Sequence, residues 1–103
     1  PTITTDLAGF GLWVNSLKGS YSELKDGVKV IHRSDYNYSE VADVIKDNIS
    51  VFSGMSDTEI KVIRKRAADI AEKALWKHFI KYYYEAYDVA LRNAQKRLLL
   101  GEN

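Results

Sequence analysis

Apolar positions along the 103-residue chain fall into successive groups, each with the spacing of one structural element. Thr2, Ile3, Thr4 and Thr5 are all β-branched, and their stiff χ1 angles favour a pleated strand over a helix. Beyond Gly9 and Gly11, the residues Phe10, Val14 and Leu17 recur at helical spacing with Trp13 beside them. Val28-Lys-Val-Ile31 is a second short β-branched run. Val41, Val44, Ile45, Ile49 and Phe52 then form one stripe, the apolar face of a helix lying on a sheet. Ile60, Ile63, Ala67, Ile70, Ala71 and Ala74 form another. Around Leu75 and Trp76 the phase changes, and Trp76, Phe79, Ile80, Tyr83, Tyr87, Ala90 and Leu91 align instead. That change predicts a bend or short break at residues 72–75, a final helix to about Lys96, and fraying over residues 98–103.

The residues between the stripes define the connections. Asp6 ends the first strand, and Gly9 and Gly11 supply backbone able to take positive φ or to approach another group closely. Residues 19–26, Gly-Ser-Tyr-Ser-Glu-Leu-Lys-Asp, read as a polar connection, and Gly27 precedes the second strand. A helix between two such strands makes a βαβ unit and therefore a parallel pair. Asn37 with Glu40 resembles a capping box in which Asn replaces Ser or Thr, and Ser56-Asp-Thr-Glu59 is a cleaner one. Gly54 stops the helix between them. The expected class is α/β, with two short parallel strands and a long C-terminal helical segment. Residues 1–54 make the βαβα portion and residues 55–103 the C-terminal helices.

Composition narrows the function classes. A hydrophobic fraction of 46% argues against disorder. No apolar run approaches the roughly 18 residues of a membrane span, and no signal peptide opens the chain. The absence of cysteine removes disulfides, thiolate zinc sites and thiol catalysis, and it fits a reducing, cytoplasmic setting. The net charge is +1, split as −2 over residues 1–54 and +3 over residues 55–103. Such small imbalances describe solvated helix surfaces, so neither nucleic acid nor membrane is an expected partner. The chain opens on Pro1, without Met, at the start of a strand that has nothing before it to pair with. It reads as an excised fragment.

Candidate chemistry is sparse. In open α/β sheets, ligands sit at the carboxyl ends of strands, where helix N-termini present unpaired N–H groups to phosphates. The loop after Thr5, with Gly9, Phe10 and Gly11, has that place in the pattern, although two glycines there also serve a turn. His32 and Arg33 fall on the same sheet edge, where the plainer reading is a surface or hydrogen-bonded pair. Glu85 and Asp88 are paired only as helix neighbours, whereas general acid–base chemistry needs a shared cleft. His32 and His78 have no ligand partners at metal spacing, and no Ser/His/Asp set can be nominated. No catalytic residue and no metal ligand is assigned.

Pro1-Thr-Ile-Thr-Thr followed by Gly9-Phe10-Gly11 resembles a segment of the animal and fungal type of glycogen synthase. In that family a Pro-Ser-Ile-Thr-Thr-like strand leads into a Ser-Gly-Phe-Gly loop; Ala8 stands here where Ser is usual. The resemblance continues weakly to about residue 91. It implies a partial Rossmann-like C-terminal domain of a GT-B glycosyltransferase, so that residues 1–103 would be the C-terminal part of its nucleotide-sugar-binding domain. The implied reaction is retaining, metal-free glucosyl transfer from UDP-glucose or ADP-glucose to an α-1,4-glucan. The donor sugar and the glucan acceptor are thus the expected partners. Thr5, Gly9, Phe10 and Gly11 would shape the floor of the donor site, and the family's Glu-containing donor motif would lie upstream of Pro1. The fragment itself is expected to be inactive.

The resemblance also bears on the last two helices. The family carries an Arg-rich helix that recognises glucose 6-phosphate. Arg64 and Arg66 match two of its arginines, while Thr58, Ile60 and Asp69 stand at others. A solvated basic face of Lys61, Arg64, Lys65 and Arg66 is the better reading. The row from Trp76 to Leu91 resembles the terminal GT-B helix that packs back on the N-terminal domain, and burial of the row is expected. Without such a domain it would favour self-association, so a homo-oligomer is possible. Two alternatives stand beside this reading: another GT-B enzyme with a different acceptor, and a small helical interaction module.

Overall fold

The β-branched runs form two strands, β1 (Thr2–Thr5) and β2 (Val28–Ile31), paired in parallel with Thr2 opposite Val28 and Thr5 opposite Ile31. The structure, a computed structural model, describes residues 1–17 and 23–101. Helix α1 (Gly9–Ser16) follows β1, and a short 3-10 turn (Leu24–Asp26) precedes β2. Helices α2 (Tyr38–Ser53), α3 (Asp57–Lys73) and α4 (Trp76–Leu99) complete the order. Among the described residues the architecture is therefore mostly helical α/β with a two-stranded parallel sheet. Residues 19–22 of the expected polar connection lie outside the described residues, as do Glu102 and Asn103 of the expected frayed end. Among the described residues no helix is long and apolar enough to cross a membrane.

The chain divides into two compact units, Pro1–Ile70 and Ala71–Asn103. In the first, the alternation of β2 sorts its side chains between two faces. Val28 and Val30 share one face and pack with Val14 of α1 and Ile70 of α3, with Trp13 and Leu17 against the cluster. Val14 and Ile70 are almost wholly buried. Each such aliphatic side chain contributes about 2 kcal/mol on leaving water. Ile3, opposite Lys29, points to the other face, where it lines a groove with Leu24 and with Ile49 and Phe52 of α2. Helices thus flank the sheet on both sides. Val41 of the α2 stripe is buried, whereas Ile49 remains largely exposed.

Gly27 sets how closely α3 can approach. Its φ of +102° is left-handed, and its N–H closes the 3-10 turn on the Leu24 carbonyl at 2.9 Å. Its carbonyl accepts the first N–H of the ladder, from Thr2, at 3.0 Å. A Cβ placed here would lie 2.4 Å from the backbone nitrogen of Ala67. The Arg66 guanidinium donates to the Lys25 carbonyl at 2.7 Å, a second tie between α3 and the same turn.

Helix starts and stops follow local chemistry, with one exception. Ser56 accepts the Glu59 N–H on its Oγ at 3.2 Å, as its capping box predicts. Asn37 does not cap α2 with its side chain, which turns back into the preceding loop. Gly54 follows the last residue of α2, in right-handed backbone.

The second unit begins at the end of α3. The Leu75 N–H bonds to the Glu72 carbonyl at 3.2 Å, and Leu75 itself is extended, which produces the break expected at residues 72–75. Glu72 accepts from Lys77 at 3.0 Å and from His78 at 3.3 Å. Its carboxyl is held below the usual carboxylate range by Lys77 first and His78 second. Helix α4 runs to Leu99, one turn past the expected Lys96. The Trp76 and Tyr83 rings lie 4.8 Å apart, as residues on one stripe must. The stripe is real, yet no residue of α4 is buried. Phe79 and Ile80 are half-buried and Tyr83 is 48% exposed, so the expected burial of this row is not met within the chain.

Gly27→Ala should therefore destabilise the first unit by about 3 kcal/mol, from left-handed strain together with the clash on Ala67. Urea unfolding followed by circular dichroism measures this, and an unchanged midpoint would show that α3 does not depend on the contact.

Candidate functional site

The carboxyl ends of β1 and β2 lie side by side and lead into Asp6 on one side and His32 and Arg33 on the other. Thr5, half-buried, is the last residue of β1 and pairs with Ile31. Asp6 continues the pairing for one more bond, donating its N–H to the Ile31 carbonyl at 3.1 Å. The chain then turns through Leu7 and Ala8 into α1.

The glycines belong to the first turn of that helix, not to a loop before it, and neither has positive φ. Gly11 is buried, and a Cβ on it would stand 1.9 Å from the Thr5 carbonyl oxygen and 2.8 Å from the carbonyl carbon. Only a glycine lets the helix seat so tightly on the strand end. Gly9 is the opposite case, exposed and with nothing within 4 Å of a Cβ position. Phe10 is 43% exposed, its ring 6.0 Å from that of Trp13. Ala8 stands at the N-cap, with no side-chain hydrogen bond there and no acidic residue in the first turn. The first N–H groups of α1 therefore have no side-chain cap from Ala8, at the positive end of the helix dipole.

A residue passed over in the sequence organises the other half of the site. The Asp6 carboxylate turns toward the end of β2, where Oδ1 accepts the Arg33 N–H at 3.0 Å and Oδ2 meets His32 Nδ1 at 2.6 Å. The Arg33 N–H, and then His32, hold the Asp6 carboxyl below its ordinary range. In return the carboxylate raises the His32 imidazole above its ordinary 6.5. The Asn37 amide donates to the His32 carbonyl at 2.8 Å and accepts the Ser34 N–H at 2.7 Å. Its oxygen also accepts from Arg33 Nη1 at 3.2 Å, and this is why it is not free to cap α2. The Arg33 guanidinium bonds the Ser34 carbonyl and lies 5.8 Å from the Tyr38 ring centre.

The fold therefore brings Thr5 and Gly11 into contact and sets Gly9 and Phe10 at the mouth of α1. His32 and Arg33 join the same edge through Asp6. The signal for Asp6 was its place one residue past β1, opposite the residue one past β2. The basic face of α3 lies elsewhere and is partly occupied: Lys65 pairs with Asp69, and Arg66 with the Lys25 carbonyl. What the site offers chemically is backbone N–H groups at a helix start uncapped by Ala8, and an imidazole paired with the Asp6 carboxylate across the strand ends. That set suits an anion.

The two glycines should separate in a stability measurement. Gly11→Ala should cost about 3 kcal/mol in urea unfolding, since the contact it disturbs is backbone. Gly9→Ala should change stability by less than about 1 kcal/mol, because open space receives the methyl group. Equal losses would contradict the close approach at Gly11. No protein-family model matches the chain and no curated protein matches it, so its function rests on the geometry of this site.

Proposed function

We propose that this chain is the C-terminal part of the nucleotide-sugar-binding domain of a glycogen synthase-like, retaining GT-B glucosyltransferase. In that enzyme glucose passes from UDP-glucose or ADP-glucose to the non-reducing end of an α-1,4-glucan. Thr5, Gly9, Phe10 and Gly11 form the floor of the donor site. One observation carries the proposal: a parallel strand whose carboxyl end feeds an uncapped helix start, with Gly9 open above it. Diphosphates favour such a start because backbone donors and the helix dipole act together on negative charge. The Thr-Thr and Gly-Phe-Gly spacing supplies the substrate class by resemblance.

In this role the chain contributes donor contacts, so alone it should bind weakly and should not turn over. Titration of isotope-labelled 1–103 with UDP-glucose should shift the amides of Thr5, Gly9, Phe10 and Gly11 with a millimolar midpoint, equivalent to about 4 kcal/mol. Gly9→Val should remove those shifts while leaving the unfolding midpoint in place, because a branched side chain fits the fold but fills the space above the helix start. No glucosyl transfer to an α-glucan should be detected. Transfer by the isolated chain, or shifts confined to other residues, would overturn the assignment.

A further inference from the structure

The two strand ends are not held alike. On the β2 side, Asn37 bonds both the His32 carbonyl and the Ser34 N–H, so the backbone from His32 to Ser34 is fixed from within its own loop. On the β1 side, the backbone bond from Asp6 to Ile31 is the last of the ladder. Beyond it Leu7 is 69% exposed, and Ala8 is joined to α1 by the Leu12 N–H at 3.3 Å. The Asp6 carboxylate bridges the two sides, with one oxygen on a permanent donor, the Arg33 N–H, and the other on a titratable one, His32.

We propose that the Asp6–His32 contact is a protonation-controlled latch on residues 6–9, which lead from β1 into the first turn of α1. With His32 charged, the short ion pair fastens Asp6 across the strand ends. With His32 neutral, Nδ1 can still donate a proton to the carboxylate but the charge attraction is gone, and residues 6–9 relax while the Arg33 N–H keeps its hold. The latch acts on this segment whatever ligand the helix start receives.

The surrounding charges support this direction. Asp6 is the principal partner of His32, and Glu40 on α2 is a second carboxylate that favours the imidazolium. The Arg33 guanidinium is turned to the Ser34 carbonyl and Asn37 and lies over Tyr38. The signs bound a pH window. The lowered Asp6 contributes above its ordinary 3.8 and fails as pH falls through its folded value. The raised His32 contributes fully below 6.5 and fails as pH rises through its folded value. The latch is firmest between those limits and loosens as pH rises through the raised His32 value.

An NMR titration of the 103-residue chain from acid to alkaline pH tests this, with the two histidines distinguished by His78→Gln. The His32 ring should titrate above 6.5, and the amides of Asp6, Leu7, Ala8 and Gly9 should shift with the same midpoint. Asp6→Asn should lower that midpoint toward 6.5, because the carboxylate is the main cause of the rise, and should uncouple the amides. If Asp6→Asn does not fold, His32→Gln supplies the test, since a ring-free donor should make the four amides independent of pH across the His32 transition. A His32 midpoint at or below 6.5 would overturn the proposal. So would amides that stay flat through the transition, or that still titrate in His32→Gln.

Discussion

A parallel pair of four-residue strands is too short to stand on its own ladder, and a two-stranded sheet in water is marginal even when longer. What holds β1 against β2 is backbone seated on backbone at both ends of the ladder. At the amino end, Gly27 turns left-handed, receives Thr2, and presses against the Ala67 backbone. At the carboxyl end, Gly11 presses against the Thr5 carbonyl, and Asp6 crosses to Arg33 and His32. Between them lie Val28 and Val30, covered by Val14 and Ile70. Either glycine with a side chain would lift a helix off the strands, so the small apolar core depends on two absent methyl groups.

This arrangement makes the strand ends a platform. The backbone of α1 is located by Gly11, and that of the His32 loop by Asn37. Gly9 and Phe10 thereby lie beside the strand ends without being part of the core. Sites built on element termini gain precision in this way, since the rigid parts do the positioning and the exposed parts remain available. The one titratable joint in the platform is Asp6 on His32.

Much of this was legible in the sequence where the cause is local. The β-branched runs gave both strands to the residue, and the phase change near Leu75 located the break before α4. Ser56 and Glu59 marked the start of α3. What was not legible depends on residues distant in the chain. Asn37 and Glu40 carry the pattern of a capping box, but the turn after β2 offers Asn37 a competing donor and acceptor set, and the turn wins. Gly27 read as a plain break before a strand, since nothing nearby announces Ala67. Asp6 read as a strand end because His32 stands 26 residues on. The α4 row has the spacing of a face; spacing alone does not supply what covers it.

The same distinction separates the candidate site residues from one another. Gly9 and Gly11 look equivalent in a Gly-Phe-Gly string, and either could serve a turn, a tight contact or a ligand. The structure gives Gly11 an intramolecular reason: the Thr5 carbonyl leaves no room for a Cβ. Gly9 has no such reason, for its Cβ position is empty and its backbone is helical. In a helix start glycine is less favourable than alanine by up to about 1 kcal/mol, so folding alone does not call for it. Of the two nominated glycines, Gly9 is therefore the one where a side chain can be added without meeting the rest of the fold.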